Sequence, residues 1–389
     1  MIKTATRISK VQEYYFSSKL KEVAQLNSIG HEVINLGIGS PDLPPHPQVI
    51  DALKKSVILT NSHGYQSYRG NFTLRDAFAN WYDAYYQVTL NPETEILPLL
   101  GSKEGIMHIS MTYLETGDQV LIPNPGYPAY KACTELAGAT VQYYDLTAEN
   151  NWQPQLDEIE KSNLSKVKIM WVNYPHMPTG ANAEKGLYKK LIAFGEKHKI
   201  LICHDNPYSF ILTESTQSIL QAGFSDYVLE LNSLSKSHNM AGWRVGMIAA
   251  KATHINNLLK FKSNMDSGMF KPVQLAAIQA LQLKKEWYNL QNEEYHQRKI
   301  IATRIVQTLD CIATPNQTGL FIWAKAPSKI RRVDQWTDKM LHEAKVFIVP
   351  GFIFGSTGEK YIRISLCASQ EQLKEALLRI QKWQISYDS

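Results

Sequence analysis

Between Val49 and Ala280, short runs of β-branched and apolar residues alternate with stretches of helical spacing, and no other feature limits the chain as much. The runs are Val120-Leu121-Ile122, Thr140-Val141-Gln142-Tyr143, Lys168 to Val172, Ile200 to Cys203, Tyr227 to Leu231 and Val245 to Ala249. Helices such as Gly186 to His198 fall between several of them. Strands apolar on both faces, separated by helices, predict an α/β fold: a mostly parallel sheet covered on both sides.

The ends of the chain read differently. Ser9 to Ile29 has helical spacing and stops at Gly30; Val33 to Ile38 is a short strand that breaks into the loop Gly39-Ser40-Pro41-Asp42. After Ala280 come a long polar helix, Lys284 to Leu309, and the apolar runs Leu320 to Trp323, Val346 to Val349 and Tyr361 to Ser365. Helices Asp334 to Ala344 and Ser369 to Trp383 complete this part. Neither end could bury a core alone, so the 389 residues divide into a large domain, 48–280, and a smaller α+β composite, 1–47 with 281–389.

Bulk composition excludes several classes. Lys and Arg number 41 against 36 Asp and Glu, a net charge of +5 that is too mild for a nucleic-acid footprint. Cys133, Cys203, Cys311 and Cys367 form no Cys-x-x-Cys pair, so neither a disulfide framework nor a metal knuckle is expected. No signal peptide is visible, and no run of about 18 apolar residues could span a membrane. The expectation is a cytoplasmic protein with no nucleic-acid or membrane partner and no metal.

The chemistry concentrates in Ser233-Leu234-Ser235-Lys236-Ser237-His238-Asn239-Met240-Ala241-Gly242-Trp243-Arg244-Val245-Gly246, directly after a strand. A lysine amine can form a Schiff base with an aldehyde. Hydroxyls and a guanidinium can hold a phosphate, and small residues allow close approach of a bulky ligand. An isolated Ser-x-Ser-Lys would read as a surface lysine; the complete segment does not.

This segment resembles the signature of class I/II aminotransferases, pyridoxal 5′-phosphate (PLP) enzymes of fold type I. Other family features recur in the family's order over nearly the whole chain. The resemblance implies a mostly parallel mixed sheet between helices plus a smaller α+β domain. It makes Lys236 the Schiff-base lysine and puts Ser233, Ser235 and Arg244 at the cofactor phosphate. In His204-Asp205-Asn206-Pro207-Tyr208, an Asp at a strand's carboxyl end faces the crevice where α/β proteins bind ligands. By resemblance Asp205 meets the protonated pyridine nitrogen and Tyr208 donates to the phenolic oxygen. Asn206-Pro207 departs from the family pattern, and both side chains are expected to point away.

Asn173-Tyr174-Pro175-His176-Met177-Pro178-Thr179-Gly180 resembles the Asn-x-Pro-Asn-Asn-Pro-Thr-Gly turn, which assigns Asn173 to the phenolic oxygen and the edge of the substrate carboxylate. His176 is open between a catalytic and a loop role; the loop role is favoured because Lys236 already supplies a base. Gly101-Ser102-Lys103-Glu104-Gly105 opens a helix, whose N–H groups suit a phosphate, and Ser102 and Lys103 match the phosphate cup. A plain serine N-cap is the other reading, and both can hold. Tyr127, in Asn124-Pro125-Gly126-Tyr127-Pro128, matches the residue that stacks on the ring. Tyr65, five residues before Gly70, matches the tyrosine that reaches a dimer partner's phosphate, which implies a homodimer with shared sites. Arg363 matches the fork for the substrate α-carboxylate, and Gly39 sets its backbone beside that group.

The implied activity is ping-pong transfer of an amino group between an L-amino acid and a 2-oxo acid. The likeness is greatest to the aspartate and LL-diaminopimelate aminotransferase branch. A PLP-dependent lyase, decarboxylase or synthase on the same fold is the alternative. A binding module without turnover is disfavoured, since Lys236, Asp205, Asn173, Tyr208 and Arg363 are all present. The substrate side chain is expected to meet Tyr14, Tyr15, Phe16, Ile38 and residues near Ser263 to Phe270.

Overall fold

In a computed structural model, every residue is described except Met1, Lys10, Gln12, Tyr14 and Ser389; the side chains of 386–388 are also left aside. Tyr14, expected in the substrate wall, thus lies outside the described residues. The predicted first helix is shorter than its spacing suggested: a turn at Thr6–Ser9, then Tyr15–Ser28. Gly30 follows with φ +88°, a left-handed stop that costs glycine little. Strand β1 is only Ile34–Asn35.

The centre is a seven-stranded sheet. Its strands are β2 (Ile96–Leu99), β3 (Gln119–Asn124), β4 (Thr140–Asp145), β5 (Val167–Val172), β6 (Leu201–Asp205), β7 (Val228–Ser233) and β8 (Gly246–Ala250). Their spatial order is β2-β8-β7-β6-β5-β3-β4. All neighbours are parallel except β8, which runs against both β7 and β2. Apart from β4 and the outer ends of β3 and β5, the strands are buried, as near-continuous apolar runs require. Helices such as Ser102–Tyr113, Pro128–Leu136 and Leu187–His198 connect the parallel strands. The Leu234–Val245 segment that joins β7 to β8 holds only the four-residue helix Leu234–Ser237 and a short turn, with no covering helix, and β8 runs antiparallel to β7.

The chain ends meet on a second structure. Strands β9 (Ile312–Ala313), β10 (Phe321–Lys325), β11 (Val346–Phe347), β12 (Val349–Pro350) and β13 (Tyr361–Ser365) follow the 24-residue helix Lys285–Thr308. Four of them form an antiparallel sheet, β12-β13-β10-β9, while β11 pairs in parallel with β1. The predicted single run Val346 to Val349 is therefore two strands, and the chain changes sheets at the fully buried Ile348.

One buried polar cluster braces the strand that carries Asp205. Register places His204 on β6 opposite Glu230 on β7, with His204 Nδ1 2.7 Å from Glu230 Oε2. Both side chains are fully buried. The Glu230 carboxyl also accepts from Tyr82 Oη at 2.7 Å, Ser218 Oγ at 2.9 Å and the Ile219 N–H at 3.1 Å. Removing one member of such a group strands the others without water. Glu230→Ala should destabilise the protein by about 3–5 kcal/mol, read as a lower urea midpoint; an unchanged midpoint would show that the cluster adds no stability.

Candidate active site

The parallel strands and β2 point the same way, so their carboxyl ends converge, and ligands in open α/β sheets bind beyond those ends. A cavity of about 590 Å³ opens there. Its lining includes Ser102 and Lys103 after β2, Tyr127 after β3, Asn173 after β5, Asp205 at the end of β6 and Ser233 at the end of β7. Ser235, Lys236 and Arg244 come from the β7–β8 turn, Tyr208 from the turn after β6. Gly39 enters from the loop after β1 and Arg363 from β13. Thus twelve of the thirteen expected residues share one wall. Tyr65 is the exception: it is 93% exposed and is not among the lining residues.

One end of the cavity is an anion cradle. Ser233 caps the next short turn by accepting from the Ser235 N–H at 3.1 Å, and its hydroxyl donates to Ser235 Oγ at 2.8 Å. Arg244 is held by the Ala241 carbonyl at 2.8 Å, with its Nη1 3.5 Å from Ser235 Oγ. Gly101, the N-cap of helix Ser102–Tyr113, has φ +86°, and a Cβ there would lie 2.0 Å from Arg244 Nη2. That glycine lets the guanidinium close onto a helix N-terminus, where N–H groups already favour an anion.

The middle of the cavity holds two displaced titrations. Asp205 Oδ2 accepts from Tyr130 Oη at 2.9 Å, whereas its buried Oδ1 has no hydrogen-bond partner among the described residues. Burial raises its pKa to about 6, although the Tyr130 hydrogen bond pulls the other way. Tyr130 stacks on Trp171 at 4.8 Å and meets Tyr127 edge-on at 5.6 Å, so one aromatic stack fixes both the Asp205 donor and the Tyr127 ring. Lys236 Nζ donates to the Gly39 carbonyl at 2.5 Å. Burial pushes its pKa below the usual lysine value, and the Arg363 and Arg244 charges push it further down. Asn173 donates to the Asp205 carbonyl at 2.6 Å and accepts from the Met177 N–H at 2.7 Å, tying together two strand ends.

At the far end, Arg363 donates to the Gly37 carbonyl at 2.6 Å and directs Nη1 at Met177 Sδ, 3.3 Å away. Its guanidinium lies 3.9 Å from the Phe321 ring centre, 4.6 Å from Phe354 and 5.4 Å from Phe16. Aromatic faces stabilise a cation that water cannot reach. Gly39 is packed so tightly that a Cβ would fall 2.2 Å from Phe321.

Several expectations need correction. Asn206 does turn away, donating to the Gln217 carbonyl at 2.8 Å, but Pro207 lines the cavity because the chain bends inward as β6 ends. Ser263 to Phe270 is not among the cavity lining; Gly268 packs against the backbone of Gln66 and Ser67 instead. Phe16 and Ile38 do line it, while Tyr15 sits edge-on to Phe352 at 5.8 Å. His176 is outside the lining, its Nδ1 2.8 Å from Thr179 Oγ1, and burial lowers its pKa to about 3. It is a turn-bracing residue. Sequence reasoning missed Tyr130, Phe321 and Phe354; the signal for Tyr130 was its place three residues after Tyr127, which puts both rings on one side of a helix start.

The family model for aminotransferase class I and II matches residues 31–380. An LL-diaminopimelate aminotransferase of Dehalococcoides mccartyi (strain CBDB1) is 38% identical over 382 residues, 97% of this chain and 98% of that one. Its counterpart in Aquifex aeolicus is 37% identical over 383 residues, 98% and 99% of the two chains. The substrate-bound BacF structure from Bacillus subtilis superposes with a TM-score of 0.95 at 33% identity, covering 99% of this chain and 98% of the other. A match of that reach runs from just before β1 past Arg363 on β13: this chain belongs to the class I and II aminotransferase family and is an aminotransferase.

Proposed function

We propose that the enzyme works with pyridoxal 5′-phosphate, transferring the amino group of an L-amino acid to a 2-oxo acid, with Lys236 as its catalytic residue. Asp205 carries this reading: a buried carboxyl with one oxygen satisfied by Tyr130 and the other without a partner among the described residues, in the same cavity as the Lys236 amine. An unsatisfied, desolvated carboxylate oxygen is costly unless a ligand supplies a donor or cation. A protonated pyridine nitrogen is such a donor, so the residues fit the group.

Ser102, Lys103, Ser233, Ser235 and Arg244 would hold the phosphate, with Tyr65 of a second copy completing it. Tyr127 would cover the ring; Asn173 and Tyr208 would hold its phenolic oxygen. When bound, the cofactor supplies an aldehyde carbon and an electron-withdrawing ring. Arg363, prepositioned by the Gly37 carbonyl and three aromatic rings, grips the α-carboxylate beside the Gly39 backbone. Lys236 Nζ, its pKa lowered by burial and neighbouring guanidinium groups, is neutral more readily than a surface lysine. As a free amine it would take the proton from the substrate Cα, hold it at Nζ and give it up on the cofactor side, so that Cα leaves as the carbonyl carbon of the oxo acid. Phe16, Phe321 and Phe354 exclude water from this step.

The same reading includes a homodimer. Ile58, Leu59, Tyr65, Phe72 and Phe270 leave large apolar surfaces exposed in one copy, and a second copy would cover them. It also includes the division into 48–280 and the composite of 1–47 with 281–389, so that one unit grips the cofactor and the other the carboxylate. A cytoplasmic location agrees with four free cysteines and, among the described residues, no helix long and apolar enough to cross a membrane.

Three outcomes are expected. Lys236→Ala should lower turnover by roughly 1,000-fold or more and alter the absorbance of the bound cofactor; a variant as active as the parent would overturn the assignment. Sedimentation should give twice the chain mass, and a fully active monomer would refute shared sites. The third concerns pH. The folded pKa of Asp205, about 6, exceeds its unfolded value. The penalty for ionising it is therefore absent below pH ~4, grows as pH rises and is complete above pH ~6. Cofactor-free Asp205→Asn protein should gain on the order of 2–3 kcal/mol over the parent at pH 7 and little at pH 4, while losing turnover. Parallel stability–pH curves would falsify the assigned shift.

A further inference from the structure

We propose that Glu104, His108 and Asp266 form a binding site for a divalent metal ion of the zinc class, outside the catalytic cavity. None of the three lines that cavity, and amino-group transfer gives none of them a task. The expectation of no metal came from cysteine spacing, which says nothing about imidazole and carboxylate ligands.

Helix spacing sets the first two ligands. Glu104 and His108 stand four residues apart on the helix Ser102–Tyr113, so their side chains share one face. His108 Nε2 lies 3.5 Å from Glu104 Oε1. Two ligands about 2.1 Å from one tetrahedral ion stand about 3.4 Å apart, so this pair is already at chelating distance. Asp266 comes from the segment after the helix Ala252–Lys262. One ligand atom from each of the three residues lies within 4.8 Å of the other two.

His108 is the observation that calls for an ion. It is fully buried, and neither ring nitrogen has a hydrogen-bond partner among the described residues. Phe261 meets its ring edge-on at 5.3 Å and offers no polar atom. A buried polar nitrogen without a partner is costly, and a cation at Nε2 removes that cost.

The carboxylates are held ready. Glu104 Oε2 accepts from the Leu100 N–H at 2.6 Å, while Oε1 is the oxygen near His108. Asp266 Oδ1 accepts from the Gly268 N–H at 2.8 Å, and Lys262 Nζ donates to both Asp266 oxygens, at 2.9 and 2.7 Å. Oδ2 therefore has a single donor and keeps a lone pair. Two carboxylates against one ammonium leave an excess of negative charge beside the imidazole; Lys262 tempers the affinity without cancelling it. Glu104 and Asp266 are partly exposed, which gives an ion a way in. One imidazole and two carboxylates, with water in the fourth position, suit zinc better than magnesium, which prefers oxygen ligands alone. The Leu100 bond places Glu104 just behind Gly101 and the anion cradle, so an ion here would clamp the cradle's helix to the segment whose Gly268 packs on Gln66 and Ser67.

The test uses the full chain loaded with pyridoxal phosphate, cleared of free cofactor and chelator, and titrated with zinc chloride in a calorimeter. One ion should bind per chain with a dissociation constant below about 100 μM. No binding at that level would overturn the proposal and leave the aminotransferase reading intact. His108→Gln and Asp266→Asn should each weaken binding at least about tenfold; unchanged affinity in both would place the ion elsewhere and refute the site. Cobalt(II) chloride gives a readout on the parent protein alone: visible d–d bands of a low-symmetry nitrogen and oxygen set should appear and be displaced by zinc. A spectrum identical to that of aqueous cobalt would also refute it.

Discussion

Arg298 holds the two ends of the chain together at the site. From the helix Lys285–Thr308 its guanidinium donates to both oxygens of Asp42, at 2.6 and 3.0 Å, and to the Leu366 carbonyl at 3.0 Å. Its side chain is almost fully buried, and a bidentate pair at such a position fixes orientation as well as distance. Breaking one partner of a buried pair leaves the other charge uncompensated. The loop pinned by Asp42 is the one whose Gly39 carbonyl receives Lys236 and whose Gly37 carbonyl receives Arg363. The Lys236 amine and the Arg363 guanidinium, 127 positions apart in the chain, are therefore registered by the same few peptide groups.

A second constraint comes from sheet direction. Because β8 alone runs backward, the carboxyl ends of β2, β3, β5, β6 and β7 all open on one side. Asn173, Asp205 and Ser233 each lie at such an end, so their side chains converge without any long-range loop. The cavity gathers four cations and one carboxylate in a largely apolar enclosure. Low polarisability there strengthens each charge's effect on its neighbours. Burial in that enclosure is why Lys236 and Asp205 both titrate away from their ordinary values, each toward its neutral form.

Much of this was legible in the sequence because the chemistry lies in short, contiguous segments. Ser233 to Gly246 encodes a strand end, paired hydroxyls, a guanidinium and an amine within one turn, and its backbone needs are met by local residues. Asp205 could be placed because a carboxylate at the end of an apolar run has one open direction. Pro207, Tyr130 and the 263–270 segment escaped for the opposite reason. Whether a side chain borders a cavity depends on how its element is rotated against distant elements, and periodicity carries no such information. Ile348 shows the same limit: an unbroken apolar run became two strands because β1 pairs with the residues before it and β13 with those after it.

By itself, then, the sequence determined the α/β architecture, which follows from local pattern, and it marked the lysine, the acidic strand end and the arginine through short contiguous segments that resemble the family's signatures. The tertiary structure alone decided what surrounds them. It brought Phe16, Phe321 and Phe354 around Arg363 and set Met177 against it, from segments hundreds of positions apart. It also left Asp205 with one oxygen that has no hydrogen-bond partner among the described residues. Those contacts are set by packing between the chain ends and the central sheet, and packing depends on shape across the whole fold, not on any one stretch of chain.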